Sequence, residues 1–178
     1  VGLWKDFPLV LSQLLSRTVI AYDRLGFGKS TVRQEAPSLD FITEEASLFF
    51  PYVRKALSIK EYILLGHSVG GGMAINIAAH DSDCKGVITM AAQAFVEEVT
   101  ITGVKKAKVF FEDHQQISRL EKWHGTKAQW VLNAWVDTWL SPEFSNWSLD
   151  NCINDVFCPV LAIHGDKDEY GSIAFPIY

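Results

Sequence analysis

The sequence predicts an α/β fold in which a doubly wound, mostly parallel sheet is covered by helices. Short β-rich runs alternate with helical stretches, the pattern of parallel strands joined by helical crossovers. One β-rich run leads directly into residues 66–70 (GHSVG), where glycines flank a serine between a strand and a helix. Between residues 95 and 150 no convincing strand pattern is present, and several helical patterns take its place. We therefore expect a helical insertion between two strands of the sheet.

The first 57 residues predict two helices and a strand. Leucines and a phenylalanine recur near one face of residues 3–16, which indicates a helix. Residues 18–22 (TVIAY) predict a buried strand, and a loop with two glycines follows at residues 24–30. Residues 39–57 are mostly helical, and Pro51 should kink or interrupt that helix because proline lacks a backbone N–H.

The later elements set the domain boundaries. The strand at residues 61–65 runs into the serine segment, and a helix at 71–80 and a strand at 85–91 follow. Strand character returns at 159–165. We expect one domain with an insertion, and its parts are the first part of the core at 1–94, a helical cap at 95–150 and the later part of the core at 151–178.

The cap region contains helical patterns at residues 102–113 and 127–140. In the second pattern, Val131, Trp135 and Trp139 are spaced by four, and a second apolar row lies beside them. A helix that is apolar around more than half of its circumference is expected to be buried on more than one side.

Composition and charge exclude several classes of function. The formal net charge is −5, and no cluster of lysine and arginine suggests binding to nucleic acid. No apolar run reaches the roughly 18 residues needed to cross a bilayer. Three scattered cysteines, Cys84, Cys152 and Cys158, argue against a disulfide framework, and no spacing suggests structural zinc. We expect a cytoplasmic protein that takes a small-molecule substrate and binds neither nucleic acid nor membrane. Self-association into a homo-oligomer is compatible with the sequence.

The GHSVG segment has the spacing of a nucleophile elbow. A serine hydroxyl attacks a carbonyl only when it projects toward a base, and a sharp strand-to-helix turn provides that projection. Side chains two residues before and two after Ser68 are expected to collide, so both positions favour glycine. The helix that follows begins at the turn, so the backbone N–H of Val69 is a candidate donor to an oxyanion.

The chain resembles the α/β-hydrolase superfamily over nearly its whole length. Residues 23–30 (DRLGFGKS) resemble the D-x-x-G-x-G-x-S loop of that fold, residues 66–70 match its elbow, and residues 159–168 (PVLAIHGDKD) resemble the late strand and G-x-x-D turn that carry the triad acid. The resemblance implies a cofactor-free serine hydrolase in which Ser68 is the nucleophile and Asp168 the acid. Asp166 is the neighbouring competitor for the acid, and both aspartates could instead serve only the turn.

The resemblance also implies a catalytic histidine that the sequence does not identify. In the superfamily it lies some tens of residues beyond the acid, and a second oxyanion donor lies on an earlier strand. Packing, capping or surface roles explain the five histidines here: His67, His80, His114, His124 and His164. Because the chain also begins without Met, we expect a piece of a longer protein, with the histidine beyond Tyr178 and the second donor before Val1. The alternative is a degenerate member without catalysis.

Several reactions stay open within this resemblance. A small ester or related carbonyl compound, cleaved through an acyl-enzyme, is the default substrate. Carbon–carbon hydrolysis of an aromatic ring-cleavage product, a lyase or perhydrolase reaction with the same triad, and ligand binding without turnover are the alternatives. Serine at the elbow argues against the haloalkane dehalogenases, which resemble this fold but have aspartate there.

Overall fold

The structure is a computed structural model that describes residues 2–178. Val1, the first residue of the predicted core segment 1–94, lies outside the described residues. The chain groups into two compact units, which are considered separately below. The loop unit consists of Val1–Ala36 and Lys108–Trp135, and the sheet unit consists of Pro37–Ala107 and Val136–Tyr178.

The sheet unit is built on three parallel strands. They are β1 (Tyr62–His67), β2 (Cys84–Met90) and β3 (Val160–Ile163), and they lie in the order β1-β2-β3. Leu65 of β1 pairs with Ile88 of β2, and Met90 of β2 pairs with Ile163 of β3. All three strands therefore end at the same edge of the sheet, which confirms the predicted parallel arrangement.

Helix α4 (Val69–His80) connects β1 to β2 and packs against both strands. Its segment from Gly71 to Ala78 is buried throughout, because small residues allow the helix to approach the sheet closely. Buried side chains of α4, of β2 and of the segments near the C-terminus form the core of this unit. They include Ala74, Ile75, Val87, Leu149 and Phe175.

The helical stretch before β1 is interrupted where the sequence predicts. Helix α2 (Phe41–Glu44) continues into a π-helical segment, Glu45–Phe49, and then into α3 (Phe50–Ala56). Pro51 lies in the first turn of α3 and has no backbone N–H, so it cannot continue the i→i−4 hydrogen bonds of the preceding turn. The wider π-turn accommodates that missing donor.

The region predicted as a cap is helical. It contains α5 (Glu98–Phe110), α6 (His114–His124) and α7 (Ala128–Trp139), and the strand-like pairing there is a single bridge between Phe95 and Ser148. Five apolar residues of α7 are buried: Ala128, Val131, Leu132, Val136 and Trp139. Gln129, Asn133 and Asp137 are exposed, so burial on more than one side stays a prediction. That this region covers an active site, with boundaries at 95 and 150, stays a prediction.

The predicted strand at residues 18–22 is wrong. The loop unit contains α1 (Phe7–Leu15), and the segment 18–22 after it has no regular secondary structure and belongs to no sheet within residues 2–178. An extended segment becomes a strand only when a neighbour completes its backbone hydrogen bonds, and a β-rich composition alone does not supply one. The loop that follows agrees with the prediction, because Gly26 and Gly28 have positive φ angles of 88° and 50°.

Strand β3 leaves apolar side chains accessible to solvent. All four of its residues are exposed, and Leu161 is 56% exposed. An apolar strand at the edge of a sheet is a surface on which another chain can pair.

None of the helices in residues 2–178 combines the length and the apolar character that crossing a membrane requires.

Candidate active site

Ser68 lies in a strained turn between β1 and α4. It directly follows the last residue of β1 and caps the N-terminus of α4, with φ 55° and ψ −130°. A non-glycine residue is rarely found with such backbone angles, and strain of this kind is concentrated at functional sites. The Ser68 N–H donates to the carbonyl of Met90 at 2.9 Å, so the turn is anchored to the end of β2.

The two glycines of the elbow have different roles. A Cβ atom added to Gly66 would overlap with the carbonyl oxygen of Gly70 and lie 2.7 Å from the Cα of Gly71. Glycine is therefore required at position 66, as predicted. The same expectation is wrong for Gly70, because a Cβ atom there would meet nothing within 4 Å. The crowding occurs where the strand passes under the first turn of α4, and Gly70 faces open space instead.

The Ser68 hydroxyl is bound by a residue that the sequence did not single out. Its Oγ donates to Oε1 of Gln93 at 3.2 Å, and the Gln93 side chain is buried, with 6% exposed. Gln93 follows β2 just as Ser68 follows β1, and the parallel register brings the two together. A glutamine among alanines gives no signal of its own. The only available clue was that adjacent parallel strands place the residues after them side by side.

Val69 is the first residue of α4. The first N–H groups of a helix have no acceptor within the helix, and the helix dipole adds partial positive charge there. The neighbouring turn is closed by the Gly71 N–H, which donates to the Ser68 carbonyl at 2.8 Å. This position is the one that the proposed role of Val69 as oxyanion donor requires, and the role stays a prediction.

The turn after β3 carries the two candidate acids. The Asp168 N–H donates to the Gly165 carbonyl at 3.3 Å, and its Oδ1 accepts the N–H of Tyr170 at 2.8 Å. Asp168 is half-buried, whereas Asp166 is exposed. Partial burial, followed by the charges of Glu169 and Asp168, raises the pKa of the Tyr170 hydroxyl. Asp168 is thus the more enclosed of the two carboxylates.

Ser68 and Asp168 follow β1 and β3, with β2 between these strands, and no hydrogen bond joins them in residues 2–178. Within the same described part of the chain, the Ser68 hydroxyl also has no histidine partner. His164 interacts through Nε2 with the carbonyl of Gly171 at 3.2 Å. Both residues belong to the segment around Asp168, residues 164–172, which is called the acid turn below. His80 interacts through Nδ1 with the carbonyl of Asn76 at 2.8 Å, within α4.

The other two histidines with a predicted packing or surface role are His114, which is exposed, and His124, which lies in the loop unit. Nδ1 of His124 accepts the Gly28 N–H at 2.9 Å. His67 is exposed at the end of β1, beside the elbow. The base that Ser68 needs is therefore not assigned to any of the five histidines.

The described part of the chain gives no sign of a site for thiol or metal chemistry. Burial raises the pKa of Cys84 and of Cys152 to about 11, so both thiols stay protonated near neutral pH. No group of three or more histidine, cysteine, aspartate or glutamate side chains in residues 2–178 is arranged to hold a metal ion. The serine at the elbow is the group with nucleophilic geometry.

A parallel sheet with a serine in the turn between a strand and a helix is typical of one class of protein. Comparison with known proteins identifies the same class. The family model described as the alpha/beta hydrolase fold matches residues 2–174. The chain therefore belongs to the α/β-hydrolase fold family. No curated protein matches the sequence.

Solved structures extend the likeness in fold. A bacterial membrane phospholipase A, described as a virulence factor, is 17% identical with a TM-score of 0.67, and the match covers 96% of this chain. A hydrolase from Pseudomonas aeruginosa PA01 is 17% identical with a TM-score of 0.65 over 98% of this chain. Est816, an N-acyl homoserine lactone degrading enzyme, is 17% identical with a TM-score of 0.64 over 98%. The chain spans 61%, 70% and 73% of these proteins, respectively.

Proposed function

We propose that the protein is a cofactor-independent serine hydrolase that cleaves a small ester or a related carbonyl compound through an acyl-enzyme. The observation that carries the proposal is Ser68 itself. A serine with φ 55° between a parallel strand and the N-terminus of α4 is presented to an incoming carbonyl group. The buried helix α4 and the buried Gln93, which accepts from the Ser68 hydroxyl, support that position from two sides.

In the proposed reaction, the Ser68 Oγ bonds to the carbonyl carbon while a histidine takes the hydroxyl proton. The carbonyl oxygen becomes an oxyanion, which the Val69 N–H stabilises. Collapse of this intermediate breaks the bond to the leaving alcohol, which receives the proton from the histidine. Water then bonds to the acyl carbon while the histidine takes its proton, and the bond from the Ser68 Oγ to that carbon breaks as the histidine returns the proton to the Oγ, which releases the acid. Asp168 orients the histidine and stabilises its charge without taking the proton.

We propose an ester because the elbow positions a serine hydroxyl, a group that attacks carbonyl carbons. One structural neighbour degrades N-acyl homoserine lactones, and a lactone is a cyclic ester, but at 17% identity the likeness concerns the fold alone. Carbon–carbon hydrolysis with the same serine remains the more particular alternative. The products formed from a vinylogous 1,5-diketone would distinguish carbon–carbon hydrolysis from ester hydrolysis.

A non-catalytic, ligand-binding member of the fold is the second candidate. One observation favours it: within residues 2–178 the Ser68 hydroxyl is bound to the amide of Gln93 and not to a histidine. Without a base, the hydroxyl is a weak nucleophile. Such a protein would bind a small ligand in the same place and release it unchanged.

A fluorophosphonate probe separates the two candidates. The folded chain is treated with the probe and its intact mass is read, with Ser68→Ala as the test and Ser118→Ala, at an exposed position on α6, as the matched control. Because such a probe labels a serine only when a base activates it, the hydrolase candidate predicts, in a chain that contains the histidine expected beyond Tyr178, one adduct on the wild type and on Ser118→Ala and none on Ser68→Ala. A folded wild type that stays unlabelled, yet binds a small ester with an affinity that Ser68→Ala leaves unchanged, would favour the ligand-binding candidate.

A further inference from the structure

One face of α5, extended by the residue before it, contacts the turn that carries Asp168. Glu97, Thr100 and Gly103 are spaced by three, so they lie on the same side of the helix. The Glu97 carbonyl already accepts the N–H of Ile101 at 3.1 Å, which places Glu97 in the first helical turn. Each of the three residues lies against a different residue between 169 and 172.

Glu97 makes the strongest of these contacts. Its Oε1 accepts the backbone N–H of Ser172 at 2.6 Å, and its Oε2 accepts the Ser172 hydroxyl at 3.0 Å. Both carboxylate oxygens are thus engaged by one residue of the turn. Hydrogen bonds to an ionised carboxylate are roughly twice as strong as those between neutral groups. Glu97 therefore fixes the position of the chain four residues after Asp168.

The next two positions complete the contact. The Thr100 hydroxyl donates to the carbonyl of Tyr170 at 2.7 Å, and the Thr100 residue is only 1% exposed. Gly103 has no side chain, which allows the turn to approach the helix: a Cβ atom there would lie 2.6 Å from the carbonyl oxygen of Glu169. The backbone from residue 169 to 172 is thus held against α5.

This contact reaches Asp168 through Tyr170. The Tyr170 carbonyl is held by Thr100, and the Tyr170 N–H donates to the Asp168 carboxylate at 2.8 Å. The strand before the turn, β3, is paired with β2 but is exposed along its whole length. His164 adds one further contact, to the Gly171 carbonyl. Glu97, directly before α5, and Thr100, on α5, therefore constrain the turn from outside it.

We propose that Glu97 is a positioning residue: it holds the acid turn against α5 and so fixes the direction of the Asp168 carboxylate. The catalytic consequence rests on the proposed function, since an acid that is misplaced by about 1 Å orients a histidine poorly and can cost up to about 100-fold in rate. The hold on the turn is a property of the fold and can be measured whether or not the chain turns over a substrate.

The test compares Glu97→Gln with Glu98→Gln. Glu98 is the neighbouring exposed glutamate, and its carboxylate accepts only a long hydrogen bond of 3.4 Å from Thr102. The two variants remove the same charge from the same helical turn. Amide hydrogen exchange is followed at Tyr170 and Ser172, and kcat and KM are measured with p-nitrophenyl acetate.

We expect exchange at Tyr170 and Ser172 to accelerate by at least about tenfold in Glu97→Gln, since a charge-assisted bond is lost. In a chain that hydrolyses the ester, kcat should fall about tenfold or more while KM stays within about twofold. Glu98→Gln should match the wild type in all three quantities. Ser172→Ala, which keeps the backbone donor but loses the hydroxyl, should show an intermediate exchange rate.

Two results would overturn the proposal. The first is equal exchange at Tyr170 in Glu97→Gln and Glu98→Gln. The second is faster exchange with an unchanged kcat in a chain whose turnover depends on Ser68. Failure of the proposed function gives a different result. The wild type would then show no turnover that depends on Ser68, while its Tyr170 amide is still protected from exchange. In that chain, the exchange of the Tyr170 amide, the donor to Asp168, decides the proposal alone.

Discussion

The turns that carry Ser68 and Asp168 both follow a parallel strand, but different contacts hold them. At Ser68, the contacts are mostly between backbone atoms: the N–H binds the Met90 carbonyl, and the absence of a side chain at Gly66 lets α4 begin directly above the strand. At Asp168, side chains from elsewhere in the chain hold the turn: Glu97 directly before α5 and Thr100 on α5. The first turn is fixed by steric exclusion and the second by polar contacts that single substitutions can remove.

This difference matters for how the two groups tolerate change. A backbone turn that is closed by close contacts shifts little, because an atom added at Gly66 already overlaps with the chain. A turn held by three or four hydrogen bonds can lose one and shift by a small distance. We therefore expect large, all-or-none effects at the elbow and graded effects at the acid turn.

The largest effect is expected from Gly66→Ala. The added Cβ would overlap with the Gly70 carbonyl, so the turn would have to move, and we expect the free energy of unfolding to fall by about 3 kcal/mol or more. Gly70→Ala is the matched control, because its Cβ would meet nothing within 4 Å and alanine favours a helix by up to about 1 kcal/mol. Urea unfolding at neutral pH measures both.

If the two alanine variants were destabilised equally, the loss at Gly66 would not come from this overlap, because Gly70→Ala creates no overlap. A stable Gly66→Ala variant that has also kept its reactivity with the fluorophosphonate would mean that the turn is not fixed by steric exclusion. Either result would remove the contrast between the two turns.

Thr100→Val should have a smaller effect. Valine has nearly the same shape as threonine but cannot donate to the Tyr170 carbonyl, so this half-buried acceptor loses the hydrogen bond from Thr100. We expect a loss of about 1–2 kcal/mol in urea unfolding, together with faster amide exchange in residues 168–172. Thr102→Val is the matched control, because Thr102 is exposed and its hydroxyl makes only the long contact with Glu98. A loss that is the same for both variants would contradict a specific role of Thr100.

The same contrast explains what the sequence could predict. Gly66, Ser68 and the parallel strand before them are neighbours in the chain, and steric exclusion between neighbours leaves a short motif. The residues that bind these turns are far away in sequence: Gln93 lies 25 residues from Ser68, and Glu97 lies 75 residues from Ser172. Glutamate, threonine and glutamine are common surface residues, so nothing local marks them as partners of an active-site turn.

The wrong strand at residues 18–22 has a related cause. Its composition satisfies the local preference for extended structure, but a strand also depends on a neighbour that the local sequence does not contain. Tertiary pairing decided the outcome for β1, β2 and β3 in the same way. The three strands that formed are those for which a parallel neighbour exists within residues 2–178.

A third loop sharpens the comparison, because its side-chain contact depends on pH. In the loop unit, Nδ1 of His124 accepts the Gly28 N–H, which requires the imidazole to be neutral at that nitrogen. Burial, followed by the charge of Lys127, lowers the pKa of His124 below its ordinary value of 6.5, and Asp23 opposes this shift. The unfolded chain therefore binds the proton more tightly than the folded chain.

The stability that this contact contributes is fully present above about pH 6.5 and is lost as the pH falls from there through the lower pKa of the folded protein. His124→Asn offers an amide oxygen as the acceptor and does not titrate. We expect the difference in unfolding free energy between pH 7.5 and pH 5.5 to be smaller in this variant than in the wild type. His114→Asn, at an exposed position at the start of α6, should keep the wild-type difference. If His124→Asn kept it as well, the Gly28 loop would be held independently of the charge on His124, as the elbow is held independently of any side-chain charge.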